Sequence, residues 1–371
     1  MKISNIFIKM HHLVPAILLT LAVTATLTGC GSSDSMDFVE NMGVGWNLGN
    51  SLECNFKDGE DTSIDTLETY WGNPLTTKKM IDEISDAGFK TLRIPVNWSD
   101  HTDENGTIDP DWLARVAEVA DYGLDNDMYV ILNCHHDNRL IPTYDEEETS
   151  TATLTAIWNQ VAGYFKDYDD HLLFEGMNEV RLIGTDMEWG AGTEESWNVI
   201  NSLNQTFVDT VRNSGGNNKE RYLLVPTYCD STASDAISNF KLPDGKNLIV
   251  TVHAYLPYEF CHEESGSVTW SASDTADTSP ISDFMDNLYD TFTSKGIPVI
   301  LGEFGTIDKD NTDARAACAK YYVDYAKEKQ IMCIWWDNGA VNNSSYGTFQ
   351  IFDRDSLTFV FPEIRDALIQ N

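Results

Sequence analysis

The amino-acid sequence predicts a single-domain α/β fold, a (β/α)8 TIM barrel, on three observations. Apolar runs suited to buried strands recur eight times, most of them followed by a helical pattern. Links from helix to strand are short while several links from strand to helix are long, so one end of the barrel collects the loops. No Pro/Ser-rich linker or second composition zone interrupts the chain, which argues for one domain without an appended module.

In order, the strands are expected at 43–48, 91–96, 128–134, 172–178, 222–226, 248–254, 297–303 and 331–336. Helices fit between them, for example at 76–87, 110–126, 195–213 and 313–329. Asp86-Ala87-Gly88-Phe89 and Ser294-Lys295-Gly296 are short helix-to-strand links, whereas 49–75, 181–194, 255–280 and 337–362 are long strand-to-helix links. The functional face is therefore the carboxyl ends of the strands. Loop aromatics Trp71, Trp189, Trp270 and Tyr258, with Trp98 after the second strand, either meet a ligand or pack the loops; sequence leaves both open for each.

The amino terminus reads as a leader outside the fold. Lys2 and Lys9 make a basic start, and the apolar stretch 13–21 is too short to span a membrane as a permanent helix. Leu27-Thr28-Gly29-Cys30 resembles a bacterial lipoprotein box, which implies cleavage before Cys30 and acylation of that residue. The expected division is a signal peptide at 1–29, a flexible Gly/Ser tether at 30–36 and the barrel at 37–371. That implies an exported protein held to a membrane through Cys30; secretion as a soluble protein is the alternative.

Composition narrows the partners. The net charge of −35 would become two units more negative on loss of Lys2 and Lys9, and such a field repels phosphate backbones. Nucleic acid is thus not an expected partner. Besides Cys30, the cysteines are Cys54, Cys134, Cys229, Cys261, Cys318 and Cys333; none has the spacing of a zinc site, and mostly free thiols are expected.

The strand ends carry the chemistry. They deliver Trp46-Asn47, Arg93, His135-His136, Asn178-Glu179, then His253 and Tyr255, Glu303, and Trp335-Trp336-Asp337. Each alone is weak evidence, but their coincidence at one barrel mouth is not. Glu179 and Glu303 lie three β/α units apart and can meet across the barrel. Carboxylates about 5 Å apart repel by roughly 3 kcal/mol at an effective dielectric near 20, enough to hold a proton on one of them near neutral pH. An acid beside an ionised nucleophile is what retaining glycoside hydrolysis requires. Arg93 would keep its neighbour ionised, and sequence does not say which neighbour that is. Glu175, four residues back inside the strand, reads as a buried structural carboxyl.

The ordered set Gly43-Val44-Gly45-Trp46-Asn47-Leu48-Gly49-Asn50, Arg93-Ile94-Pro95-Val96, Asn133-Cys134-His135-His136, Phe174-Glu175-Gly176-Met177-Asn178-Glu179, Val252-His253-Ala254-Tyr255, Gly302-Glu303-Phe304-Gly305 and Trp335-Trp336-Asp337-Asn338-Gly339 resembles glycoside hydrolase family 5. The resemblance runs from about Gly43 to Asn371 and is strongest to the bacterial endoglucanase and xyloglucanase branch, subfamily 4. It implies that Glu179 is the acid/base and Glu303 the nucleophile, with Arg93 bonded to Glu303, Asn178 to the sugar 2-hydroxyl and Tyr255 close to the nucleophile. His135 and His253 would flank the sugar and Trp336 would stack under it; His136, Asn47 and Trp46 are carried over as further members of the cleft. Cys134 departs from the apolar residue expected there and reads as packing.

The expected activity is endo-acting, retaining cleavage of β-1,4 bonds in a neutral β-glucan, whether cellulose-type glucan, xyloglucan or mixed-linkage glucan. Xylan and mannan are the runner-up substrates. The chain is expected to act as a monomer without metal or cofactor. One rival is a metal-dependent hydrolase built on His135, His136, Asp137, His253 and the two Glu, disfavoured because adjacent His residues on a strand diverge. Another is a non-catalytic surface glycan-binding lipoprotein.

Overall fold

A computed structural model of the chain describes residues 32–55, 63–339 and 347–370. The expected leader 1–29, the expected anchor Cys30 and Gly31 lie outside the described residues. Eight strands, β1 (Gly45–Leu48), β2 (Thr91–Ile94), β3 (Tyr129–Asn133), β4 (Leu172–Glu175), β5 (Leu223–Ser231), β6 (Leu248–His253), β7 (Val299–Phe304) and β8 (Ile331–Asp337), close into a barrel in sequence order. Neighbours are parallel throughout, and Asn47 of β1 pairs with Arg93 on one side and Trp336 on the other.

The helices are α1 (Ser32–Met42), α2 (Ile64–Thr69), α3 (Lys78–Asp86), α4 (Pro110–Leu124), α5 (Glu147–Tyr164), α6 (Glu194–Asn213), α7 (Ser234–Asn239), α8 (Tyr258–Cys261), α9 (Thr275–Thr291), α10 (Thr312–Glu328) and α11 (Pro362–Ile369). Local sequence explains their starts. Pro110 opens α4 behind Asp109, whose side chain accepts from Asp111 N, and Thr193 caps α6 by accepting from Ser196 N. The buried face of α6 is Val199, Ile200, Leu203, Phe207, Val208 and Val211, a helical spacing that lays it on the sheet.

Two strands differ from expectation in a way that shapes the site. β4 leaves the ladder at Glu175, so Asn178 and Glu179 stand beyond its end and Glu179 takes a left-handed φ of 47°. β5 runs past Pro226 to Ser231 through a bulge: Pro226 pairs with Thr251, and pairing resumes only at Ser231 with His253. Within that bulge Cys229 and Asp230 are left-handed, with φ of 53° and 48°.

The Gly/Ser segment expected to be a tether through residue 36 is instead helical from Ser32 as part of α1. Phe38, Val39 and Met42, spaced to share one helix face, explain why. Val39 and Met42 plug the amino end of the barrel against Ile131, Leu173, Leu224, Ile249, Ile300, Met332 and Ile334, and Phe38 stacks on Tyr222 at 3.7 Å. A cavity of about 630 Å3 lies beside α1, lined by residues that include Glu40, Lys90 and Met332, at the end of the barrel opposite Glu179 and Glu303. All six described cysteines are buried free thiols.

Candidate active site

Arg93 is the hub of the opposite end. It points inward from β2, wholly buried, and its guanidinium reaches four acceptors: Nε to Glu175 Oε2 at 2.7 Å, Nη1 to Glu303 Oε1 at 2.8 Å and Asn47 Oδ1 at 2.9 Å, and Nη2 to Asn178 Oδ1 at 2.7 Å. Burial works against its charge, but Glu175 and Glu303 outweigh burial and the net effect raises its pKa. Glu175 spends its other oxygen on Thr251 Oγ1 at 3.0 Å, so it is the structural carboxyl that the sequence suggests.

Asn47 and Trp46 resolve by strand alternation. Asn47 points in, is fully buried, and donates through Nδ2 to Gly302 O at 2.9 Å and Trp335 O at 3.2 Å. Its expected place in substrate binding is therefore corrected: it holds Arg93 from below and has no open face to a ligand. Trp46 packs in the layer between sheet and helices with Phe352. Arg93, equally buried, likewise acts through the groups it holds.

At the mouth, an oxygen of Glu179, an oxygen of Glu303 and a nitrogen of His253 lie within 4.8 Å of one another. Tyr255 donates its hydroxyl to Glu303 Oε2 at 2.8 Å, and burial first, then the charge of Glu303, holds that hydroxyl protonated well beyond its ordinary range. His253 Nδ1 meets Glu179 Oε1 at 2.9 Å and sits 3.8 Å from Glu303 Oε2. Burial pulls the imidazole pKa down, yet Glu303, Asp230 and Glu179 more than offset it and push it up to about 9. For Glu179, burial favours the proton, but the His253 hydrogen bond and charge reverse this and lower the carboxyl's pKa. This corrects the expectation that repulsion between the two carboxylates alone would hold a proton on one of them: the His253 imidazole lies beside both, and its raised pKa draws that proton to the ring.

His135 and His136 stand beyond the end of β3, and their rings meet edge to face at 4.5 Å. They do not diverge, because the strand has already ended at Asn133. Asn133 accepts Val96 N through Oδ1, so its Nδ2 donates to His135 Nδ1 at 2.9 Å and leaves the His135 proton on Nε2. Burial keeps His135 neutral and pulls the His136 pKa down to about 4. Trp336, partly exposed, lies parallel to His135 with ring centres 6.0 Å apart. Gly49 makes room for it, since a Cβ there would fall 2.9 Å from the indole.

Residues 56–342 match the family described as cellulase, glycosyl hydrolase family 5. The chain belongs to glycosyl hydrolase family 5. It is 46% identical over 338 residues to endoglucanase A of Clostridium longisporum, covering 90% of this chain and 65% of that protein. Thus the chain spans under two thirds of that relative's length. The structure of a GH5-4 broad specificity endoglucanase from Clostridium longisporum is 45% identical with a TM-score of 0.86, covering 91% of this chain and 97% of that one. A GH5-4 broad specificity endoglucanase from Ruminococcus champanellensis, solved with bound cellotriose, is 43% identical with a TM-score of 0.86 over 90% and 97% of the two chains.

Around this family 5 centre the loop aromatics divide. Trp98 is buried and donates to Asn133 O at 2.7 Å, and Trp270 is buried against Tyr321; both pack the barrel and its loops. Trp71 faces His136 at 5.9 Å, Tyr258 lies exposed and stacked on His262, and Trp189 is 66% exposed with Arg181 stacked on it at 3.9 Å. Arg181 also donates to Glu179 O at 3.1 Å, which ties that aromatic to the acid. Among the described residues, Glu175, Asp230 and His253, and separately Glu179, His253 and Glu303, are close enough to share a cation. Glu303, however, already bonds to Arg93 and Tyr255. Asp137 of the suggested metal cage is bound by Arg139 at 2.6 and 2.8 Å and joins neither cluster. Asn133, Arg181 and Asp230 escaped the sequence reading. Asn133 lies in the motif Asn133-Cys134-His135-His136, but nothing in the sequence marks Asp230, because Pro226 reads as the end of the fifth strand.

Proposed function

We propose that this family 5 barrel is an endo-acting, retaining hydrolase of β-1,4-linked glucans. The observation that carries the reading is the asymmetry of the carboxylate pair: Arg93 and Tyr255 hold only Glu303, while His253 holds Glu179. Oxygens within 4.8 Å match the roughly 5 Å carboxylate spacing of retaining enzymes, and fall short of the roughly 6.5–9.5 Å that leaves room for a water in inverting ones.

In this reading Glu303, held in place by Arg93 and Tyr255, attacks the anomeric carbon and forms a covalent glycosyl ester. As the glycosidic bond breaks, Glu179 gives a proton to the leaving oxygen. That proton reaches it along the 2.9 Å contact with His253 Nδ1, whose imidazolium and the Glu179 carboxylate together hold one transferable proton. Water, deprotonated by Glu179, then cleaves the ester with a second inversion. Asn178 spends Oδ1 on Arg93, so its Nδ2 is turned to donate to a sugar hydroxyl. His135 offers its Nε2–H beside the Trp336 face, on which a sugar ring stacks.

Trp71, Tyr258 and Trp189 give the cleft exposed or half-exposed ring faces suited to a neutral polymer. The broad specificity endoglucanases among the relatives, one holding cellotriose, support a β-glucan substrate. Export and anchoring through an acylated Cys30 belong to the same proposal, because polymeric glucan stays outside the cell. Labelled fatty acid entering the parent but not a Cys30→Ser variant supports the anchor.

A panel of cellulose-type glucan, xyloglucan, mixed-linkage glucan, xylan and mannan, with products sized over time, tests the function. The expected result is a spread of intermediate lengths from the glucans in the first minutes. Release of glucose or cellobiose alone, or preference for xylan or mannan, would overturn endo-glucanase action.

A further inference from the structure

The bulge at the end of β5 grips the segment that carries Glu179 at three points. Asp230 Oδ2 accepts Glu179 N at 2.6 Å, Cys229 N donates to Val180 O at 3.2 Å, and Tyr228 Oη accepts Leu182 N at 3.0 Å while donating to Met187 O at 2.8 Å. Both sides of the grip are left-handed at residues other than glycine, Glu179 on one and Cys229 with Asp230 on the other. Such backbone persists only where surrounding contacts over-determine it. The bulge itself is closed by Thr227 Oγ1 on Ser231 O at 2.8 Å.

Asp230 does more than accept one N–H. It is wholly buried, and among the described residues its second oxygen, Oδ1, has no hydrogen-bond partner; neither does Nε2 of His253, 3.9 Å away. The other nitrogen of that ring is the one on Glu179 Oε1. Gly302 of β7 borders the same nitrogen, where a Cβ would lie 3.2 Å from it. We propose that Asp230 is a positioning residue for Glu179, holding its backbone directly through Oδ2 and its side chain indirectly through Oδ1 and the His253 ring.

This rests on Glu179 being the general acid. The groups facing Asp230 are Glu175 from β4, Glu179 beyond it and His253 from β6, with Glu303, itself bonded to Arg93, beside the imidazole and Arg181 and His136 acting on Glu179. Burial first, then Glu175 and Glu179, raise the Asp230 pKa against the pull of His253, to about 8. Asp230 and His253 thus compete for protons beside the acid. When ionised, Asp230 favours a proton on the imidazole and on Glu179.

The test is Asp230→Asn, which keeps the shape and an oxygen for Glu179 N but removes the charge. General acid catalysis is worth about 10²–10⁴-fold, and a residue that conditions the acid without replacing it should account for roughly tenfold of that. Hence kcat/KM on soluble β-glucan should fall roughly tenfold above about pH 8, where Asp230 is ionised, and less below it. Its basic limb should move to lower pH, because a lost negative charge loosens the neighbouring protons. With 2,4-dinitrophenyl β-cellobioside, whose leaving group departs without a proton, kcat/KM should stay within about twofold. Equal losses on both substrates, or an unmoved basic limb, would overturn the proposal. If the variant does not fold, 15N NMR of His253 in the parent decides: a doubly protonated ring at neutral pH supports the role and a neutral one overturns it. Azide rescue of Glu179→Ala checks the underlying assignment separately. Rescue there with an unaffected Asp230→Asn removes only the Asp230 role, and no rescue removes the reading of Glu179.

Discussion

The two ends of the barrel are closed by opposite means. At the amino end, Val39 and Met42 of α1 meet Ile131, Leu173, Leu224, Ile249, Ile300, Met332 and Ile334, all hydrocarbon or thioether. At the carboxyl end, four of the same strands deliver Glu175, Asp230, His253 and Glu303, and β2 adds Arg93, into a space nearly as buried. An apolar plug is held by burial alone and each residue contributes separately. A buried ionic cluster is stable only while each charge keeps its partner, so its members succeed or fail together. Activity therefore belongs to one end, and stability draws on both through different physics.

The largest expected effect separates the ends by chemistry. Glu303→Gln should reduce turnover of every substrate to background. Glu179→Ala should lose about 10²–10⁴-fold on glucan but retain activity on activated aryl glycosides, with azide restoring turnover. Equal losses in the two variants on an activated aryl glycoside would undo the division of roles between the carboxylates. Next is Arg93→Met, which leaves Glu175 and Glu303 without their counter-charge. It should lose activity and about 3–5 kcal/mol of stability in urea denaturation. A variant as stable as the parent would show that the polar end does not depend on pairing.

Met42→Ala probes the other end. Removing that fully buried side chain should cost about 2–5 kcal/mol while kcat/KM on glucan stays at the parental value. A matching loss of activity would mean that the ends are coupled. The smallest effect is on pH dependence. His136 is held neutral in the folded state, chiefly by burial, with a pKa near 4 against about 6.5 unfolded. The unfolded chain then binds the extra proton, so this contribution is complete above about pH 6.5 and is lost as pH falls toward 4. Thermal melts should show a shallower decline over that window in His136→Asn than in the parent; equal slopes would contradict the assignment.

The barrel was legible because its signals are periodic and repeated: eight apolar runs and loops gathered at one end. The residues of the mouth were legible because they cluster at strand ends, and Glu175 could be told from Glu179 by its position inside the strand. What escaped depended on contacts between distant segments. Asn47 reads as a ligand to substrate from its place at a strand end, but the Arg93 that covers it comes from another strand and is not visible beside it in the sequence. Repulsion between the two carboxylates is the proton-holding effect visible in the sequence, where nothing places His253 beside both. Asp230 was invisible because a left-handed Cys-Asp pair has no compositional marker and Pro226 reads as a strand end. The helix α1 is hidden by the Ser-rich character of its first turn, although Phe38, Val39 and Met42 carry its apolar face.

The central claim is double displacement by a nucleophile and an acid held apart by His253, and the anomeric configuration of the first product tests it most directly. Proton NMR of an early time course on a soluble β-glucan should show the β anomer appearing first, with the α anomer growing only by mutarotation. Appearance of the α anomer first would contradict the account.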